Sequence, residues 1–178
     1  MDLKGGAMNY NQNRSYSDGY MSSVKSILGQ AIISESTFKQ DTEEGFDLIT
    51  PNTKKIACRV RDYDRYKQYI QEFTIRSRSE YNKKTEIHKI LEGYGDWMFY
   101  GFTQGNDVKY WSIIDLDIFR SNHTTAHYKE NKNYDGNTKF RAYKLGTFPP
   151  DIIIKTNINV QFGLEEVPEV LRPFPEHI

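Results

Sequence analysis

The chain has 178 residues, with 24 basic and 24 acidic side chains giving a formal charge of zero. A chain of this length can bury roughly 70% of the surface it exposes when unfolded, so one domain with a real core is expected. The balanced charge excludes a generic basic nucleic-acid coat. The single cysteine, Cys58, excludes an internal disulfide framework and a multi-cysteine zinc site. Without an apolar run of membrane-spanning length or a recognisable secretory leader, the chain is expected to be soluble and cytoplasmic.

In chain order, residues 1–17 are rich in Asn, Gly, Ser and Tyr and read as a flexible N-terminal arm. Met21, Val24, Ile27 and Leu28 then recur at helical spacing, which predicts a helix over 18–29, with Ser17 or Asp18 as its cap and Gly29 closing it. Ala31 to Ser34 reads as a short strand and Phe46 to Thr50 as another, ended by a turn at Pro51-Asn52. In the next run Ile56, Cys58 and Val60 alternate with Ala57, Arg59 and Arg61, so a strand would send both arginines to one face. The segment "DYDRYKQYIQ" leaves the sheet, and "EFTIRS" from Glu72 to Ser77 returns as a strand followed by Arg78.

The period then changes. Ile87, Ile90 and Leu91 share a helical face, with Thr85 or Asn82 as a start signal and Gly93 and Gly95 as stops. "DWMFYGF" and "VKYWSIIDLDIF" follow, joined through Gly105-Asn106, a hairpin turn signal. This order gives an α/β layer: a mixed sheet with helices covering its faces. Residues 18–120 form the core, and 121–178 a loop-rich extension packed on the same domain. Within that extension 121–140 reads as a long loop, Phe140 to Phe148 and Asp151 to Thr156 as short elements, and Pro168, Pro173 and Pro175 resist regular structure.

Charge is unevenly placed. Residues 31–50 carry five acids and one lysine, whereas 51–93 carry eleven basic and six acidic side chains. Acids beside bases are what a site binding cations and phosphates together would need; ordinary mixed surface charge gives the same pattern.

The anchors "FDLI" with Asp47, "IACRVR" with Arg59 and Arg61, "FTIRSRS", "TEIHKILEGYG" and "WMFYGFTQGNDVKYWSIIDLDIFR", in that order, resemble the PD-(D/E)XK nuclease superfamily. Within it, the chain looks most like archaeal-type Holliday-junction resolvases and phage-encoded nuclease-like proteins. The resemblance implies a restriction-endonuclease-like core of order α-β-β-β-α-β-β. It further implies a Mg²⁺- or Mn²⁺-dependent endonuclease acting on branched or duplex DNA, of phage or mobile-element origin and a homodimer in its junction-cutting forms. Asp47 would stand at a metal-binding acid, Arg59 where the family carries the acid of its E-x-K triplet, and Arg61 at the lysine.

Phosphodiester hydrolysis calls for hard oxygen ligands, an activated water and a cation near the developing charge. Arg61 can stabilise charge but not shuttle protons, and Arg59 cannot ligate a metal, because a guanidinium has donors only. Asp41, Glu43 and Glu44 lie just upstream of Asp47, Glu72 opens the third run, and Asp18 opens the first helix; each is a candidate second ligand, and each has a plain role as a cap or ion-pair partner. Arg59, Arg61, Arg76 and Arg78, with Lys89, form a candidate phosphate cradle. They can instead pair internally with Asp47, Asp41 and Glu72, although four arginines on two strands exceed what those acids need. Tyr63, Tyr66 and Tyr69 can stack on unpaired bases or pack onto the core. His123 and His127 read as a loop feature, and Cys58 as a small buried residue. The alternative function is a nuclease fold that has lost catalysis and keeps DNA or partner binding.

Overall fold

A computed structural model describes residues 15–29, 34–35, 40–50, 53–79, 84–133 and 136–163. Most of the N-terminal arm, the expected strand start at Ala31, the Pro51-Asn52 turn, Asn82 and the proline-rich tail lie outside the described residues.

The helix expected over 18–29 runs from Met21 to Leu28 (α1) and ends at Gly29, whose φ of 95° is the left-handed conformation that suits glycine. Its N-cap is Tyr20, not Ser17 or Asp18, and no side chain caps it. Strands β1 (Ser34–Glu35) and β2 (Leu48–Ile49) are two residues each, and β3 spans Lys55–Asp62. A short helix α2 (Tyr63–Tyr66) follows, then β4 (Glu72–Ser79), α3 (Glu86–Leu91), β5 (Trp97–Gln104), β6 (Asp107–Asp115) and α4 (Leu116–Asn122). The C-terminal part adds β7 (Tyr128–Lys132), β8 (Thr138–Lys144) and β9 (Ile153–Thr156).

The strands make two sheets. One is a six-stranded mixed sheet in the order β1-β2-β3-β5-β6-β9, in which β3 and β5 are parallel and the other pairs antiparallel; the other is a three-stranded antiparallel sheet, β4-β8-β7. The β5–β6 hairpin turns at Gly105-Asn106, as its sequence suggests. β4 pairs with the distant β8 and not with its chain neighbour β3. The face opposite α1 is thus covered by a second sheet together with helices, rather than by helices alone. The polar stretch expected to be a loop supplies the β7–β8 hairpin. All five residues of β7 are exposed, so no alternation of apolar side chains marks it.

Alternation along β3 divides the core in two. Ile56 and Val60 join Val24 of α1, Leu48, Phe99 and Ile113 on one face, with Cys58, Trp97 and Trp111 packed alongside. On the other face Met98, Tyr100, Phe102 and Ile114 meet Phe73 and Ile75 of β4, Tyr143 of β8, and Ile87, Ile90, Leu116 and Phe119 of α3 and α4. Within that cluster the rings of Phe73, Phe119, Tyr143 and Phe148 have centroids 5.1–6.0 Å apart, the range of offset and edge-to-face aromatic packing. Close approach fixes Gly101, where an added Cβ would lie 2.9 Å from both Phe99 Cε1 and Val108 Cγ1. None of the helices among the described residues is long and apolar enough to cross a membrane.

Candidate functional site

Two chain segments and one helix meet near the middle of β3. The segment before β2 passes a π-helical turn, Gln40–Glu44, then Gly45 (φ +80°) and the fully buried Phe46. Asp47 continues the antiparallel pairing, its N–H donating to Ile56 O at 2.8 Å. Its carboxylate accepts the Cys58 N–H at 2.5 Å, one ladder position beyond the last paired residues of β2 and β3. That side chain therefore does for β3 what a longer β2 would have done.

Desolvation pushes the Asp47 pKa up from 3.8 to about 7; the Cys58 N–H opposes the shift, the negative charges of Asp41 and Glu86 add to it, and Arg59 opposes it. Three carboxyl groups thus share one electrostatic neighbourhood. Asp41 is one of the candidates read from the sequence, and Glu86 is not. Burial, followed by the Asp47 carboxylate, raises the Cys58 thiol well above its usual value, which leaves it protonated and without nucleophilic character.

Glu86 opens α3 directly after Thr85, whose side chain forms a capping box with His88. That box sets the first turn, so Glu86 faces β3 and β4. Its carboxylate accepts from Arg59 Nη2 at 2.5 Å and from the Arg76 backbone N–H at 2.9 Å. Arg59 Nη1 in turn donates to Thr74 O at 2.9 Å. Among the described residues β4 pairs only on its β8 side, and the Arg59–Glu86 pair engages backbone groups of Thr74 and Arg76 on its other edge. Both side chains retain 22% exposure. Burial lowers the Arg59 pKa and Glu86 works against that shift. Arg61 Nη2 donates to Thr74 Oγ1 at 3.0 Å, and Thr74 Oγ1 lies 3.1 Å from the Tyr100 hydroxyl.

The four arginines divide accordingly. Arg59 and Arg61 share the face expected from the alternation, but that face looks onto β4 rather than open solvent. The side chains of Arg76 and Arg78 are exposed, at and beside a bulge in β4. Lys89, one turn on from Glu86, lies over the Asp47 segment: its Cδ and Nζ stand 3.2 and 3.7 Å from where a Cβ on Gly45 would be. The φ of +80° favours glycine at this position, and a side chain there would also crowd Lys89.

Glu44 pairs with Lys55 at 2.8 Å, and Glu43 is exposed. Glu72 does not join Asp47 or Arg59: burial raises its pKa, and the charges that oppose the rise are Lys144, Lys129 and His127 of the second sheet. Asp18 is exposed at the end of a helical turn over 15–18 that precedes α1. Among the described residues no three Asp, Glu, His or Cys side chains stand together as a ready metal cage.

The fold and site define an α/β domain of two packed sheets with a buried carboxyl group, two acidic neighbours and a wall of cationic side chains. Compared with known proteins, the chain matches no protein-family model and no curated protein.

Proposed function

We propose that this domain is a divalent-metal-dependent endonuclease acting on DNA phosphodiesters, with a restriction-endonuclease-like core of the PD-(D/E)XK type. The observation that carries the reading is the Asp47 carboxyl, held by the Cys58 N–H beside Asp41 and Glu86 and flanked by Arg59 and Lys89. Crowded carboxylates favour a cation, and cations beside them favour a phosphate.

Mg²⁺ needs few protein ligands: one or two carboxylates suffice, with water and phosphate oxygens completing the shell. Asp47 and Asp41 fit that donor set. Bound there, the metal would polarise the phosphoryl oxygen and acidify a water. Asp47 must lose its proton to serve, so the site fills as pH rises through about 7. Lys89, over the Asp47 segment, would offer positive charge to a bound phosphate, and Arg61, one of the arginines on that face of β3, would add to it. Glu86 adds negative charge from α3 near the position where the resemblance would place an acid, and Arg59 fixes its orientation. Glu86 stays a neighbour rather than a ligand while Arg59 and the Arg76 N–H hold it.

Cleavage of plasmid and branched DNA with Mg²⁺ or Mn²⁺ tests this, with Asp47→Ala and Glu86→Ala as comparisons. Metal-dependent nicking lost in Asp47→Ala supports it; absent cleavage, or cleavage unchanged by Asp47→Ala, overturns it. One observation favours a second reading, a nuclease fold that binds DNA or a partner without cutting. The Arg59–Glu86 pair satisfies both groups internally, as a purely structural pair would. That reading expects DNA affinity that falls steeply with salt, without cleavage or a metal requirement.

A further inference from the structure

The tyrosines after β3 are spaced by three, at 63, 66 and 69. Here α2 passes directly into a 3₁₀ turn, Lys67–Tyr69. Residues three apart on such a stretch are surface neighbours, which keeps the three tyrosines close along the chain's exit from β3. The Asp62 carboxylate caps the turn by accepting the Arg65 N–H at 3.1 Å, which fixes the ladder to the end of β3 one residue after Arg61.

The inner rungs pack against the domain and the outer one opens. The Tyr63 ring lies 4.8 Å from that of Tyr110, and the Arg61 and Arg65 guanidiniums stand 5.9 and 5.5 Å from the Tyr66 ring centre. Tyr69 is 48% exposed, more than any other large apolar side chain among the described residues. Core packing explains Tyr63 and Tyr66, which both touch the main cluster, but not Tyr69. Aromatic faces alternating with guanidiniums are the chemistry that holds a single-stranded nucleic acid: rings stack on bases while cations follow the phosphates.

We infer that the 63–69 turn is a stacking platform for unpaired bases, so that the substrate is DNA carrying a single-stranded segment beside the cleaved bond. This rests on the endonuclease reading and narrows it. The platform starts five residues along the chain from Cys58, which holds Asp47, a span on the order of 17 Å. A strand bound at Asp47 would therefore reach Tyr66 and Tyr69 within a few nucleotides.

The test is fluorescence anisotropy of the full chain with EDTA present, using labelled oligo(dT), its duplex with oligo(dA), and oligo(U). Tyr69→Leu keeps apolar bulk and loses the ring face; Tyr69→Phe keeps the face. Because Tyr69 is exposed, both variants should melt like the wild type. Oligo(dT) is expected to bind at least tenfold more tightly than the duplex. Tyr69→Leu should weaken oligo(dT) binding by about five- to a hundredfold, the range for one stacked base, and Tyr69→Phe by less than twofold. Equal weakening of duplex and single strand, or no effect of Tyr69→Leu on oligo(dT), overturns the platform and leaves the endonuclease reading standing. Ring-dependent preference for oligo(U) over oligo(dT) overturns DNA as the platform's ligand. No binding to any DNA overturns the platform, while cleavage with Mg²⁺ decides the endonuclease reading separately.

Discussion

Replacing Asp47 by Asn should change how stability depends on pH more than it changes the fold. The amide oxygen can still accept the Cys58 N–H, while the titrating charge is gone. In the wild type the folded pKa of about 7 stands above the ordinary 3.8, so between those values the folded chain keeps a proton that the unfolded chain has released. Each pH unit in that window removes about 1.4 kcal/mol of stability, to a ceiling near 4 kcal/mol above pH 7. Because Asp47 keeps partial contact with water, about 2–4 kcal/mol is the expected loss. Urea unfolding at pH 4 and pH 8 measures it: wild type and Asp47→Asn should agree at pH 4, and the variant should be the more stable at pH 8 by that amount. Mg²⁺ bound at Asp47 would reverse part of the deficit, by about 1.4 kcal/mol at ten times its dissociation constant, in the wild type only. Parallel curves for the two proteins between pH 4 and 8 would refute the burial argument. Equal stabilisation of both by Mg²⁺ would refute Asp47 as a ligand.

Glu86→Ala should cost about 2–4 kcal/mol in urea unfolding, since it strands the Arg59 charge and the Arg76 N–H. The double variant Arg59→Met, Glu86→Leu should recover much of that, and strict additivity of the two single losses would argue against coupling. Gly146→Ala places a Cβ 1.9 Å from Gln161 O, so the 158–163 segment should detach; faster hydrogen exchange at the Gly163 N–H, which bonds to Gly146 O, would report it. Gly101→Ala should lose about 1–3 kcal/mol through overpacking against Phe99 and Val108, and a Tm equal to wild type would contradict that contact.

What the sequence reveals divides along a physical line. α1, α3 and the β5–β6 hairpin carry their own signals: helical spacing of apolar residues, a glycine stop, a Gly-Asn turn between apolar runs. The common face of Arg59 and Arg61 follows from period two alone. The partner of β4 does not, because a strand of alternating apolar residues is equally suited to any sheet and the long-range β8 ladder decides. β7, with Tyr-Lys-Glu-Asn-Lys exposed throughout, has no pattern to read at all. Glu86 is not among the acids that the sequence singles out, Asp41, Glu43, Glu44, Glu72 and Asp18, because nothing local ties the start of α3, three residues before Lys89, to β3. A signal was available. Two arginines on an inward face demand a nearby carboxylate, and Glu86 opens the helix that follows β4.

The ion pair along β4 has a consequence for behaviour in a crowded solution. A bare strand edge offers alternating donors and acceptors to any extended segment that drifts past, whether from a second copy or from a partly unfolded one. Arg59 and Glu86 answer that offer from within the molecule, one donating to Thr74 and the other accepting from Arg76. Their loss would leave a template, and growing assemblies in light scattering would accompany the fall in stability.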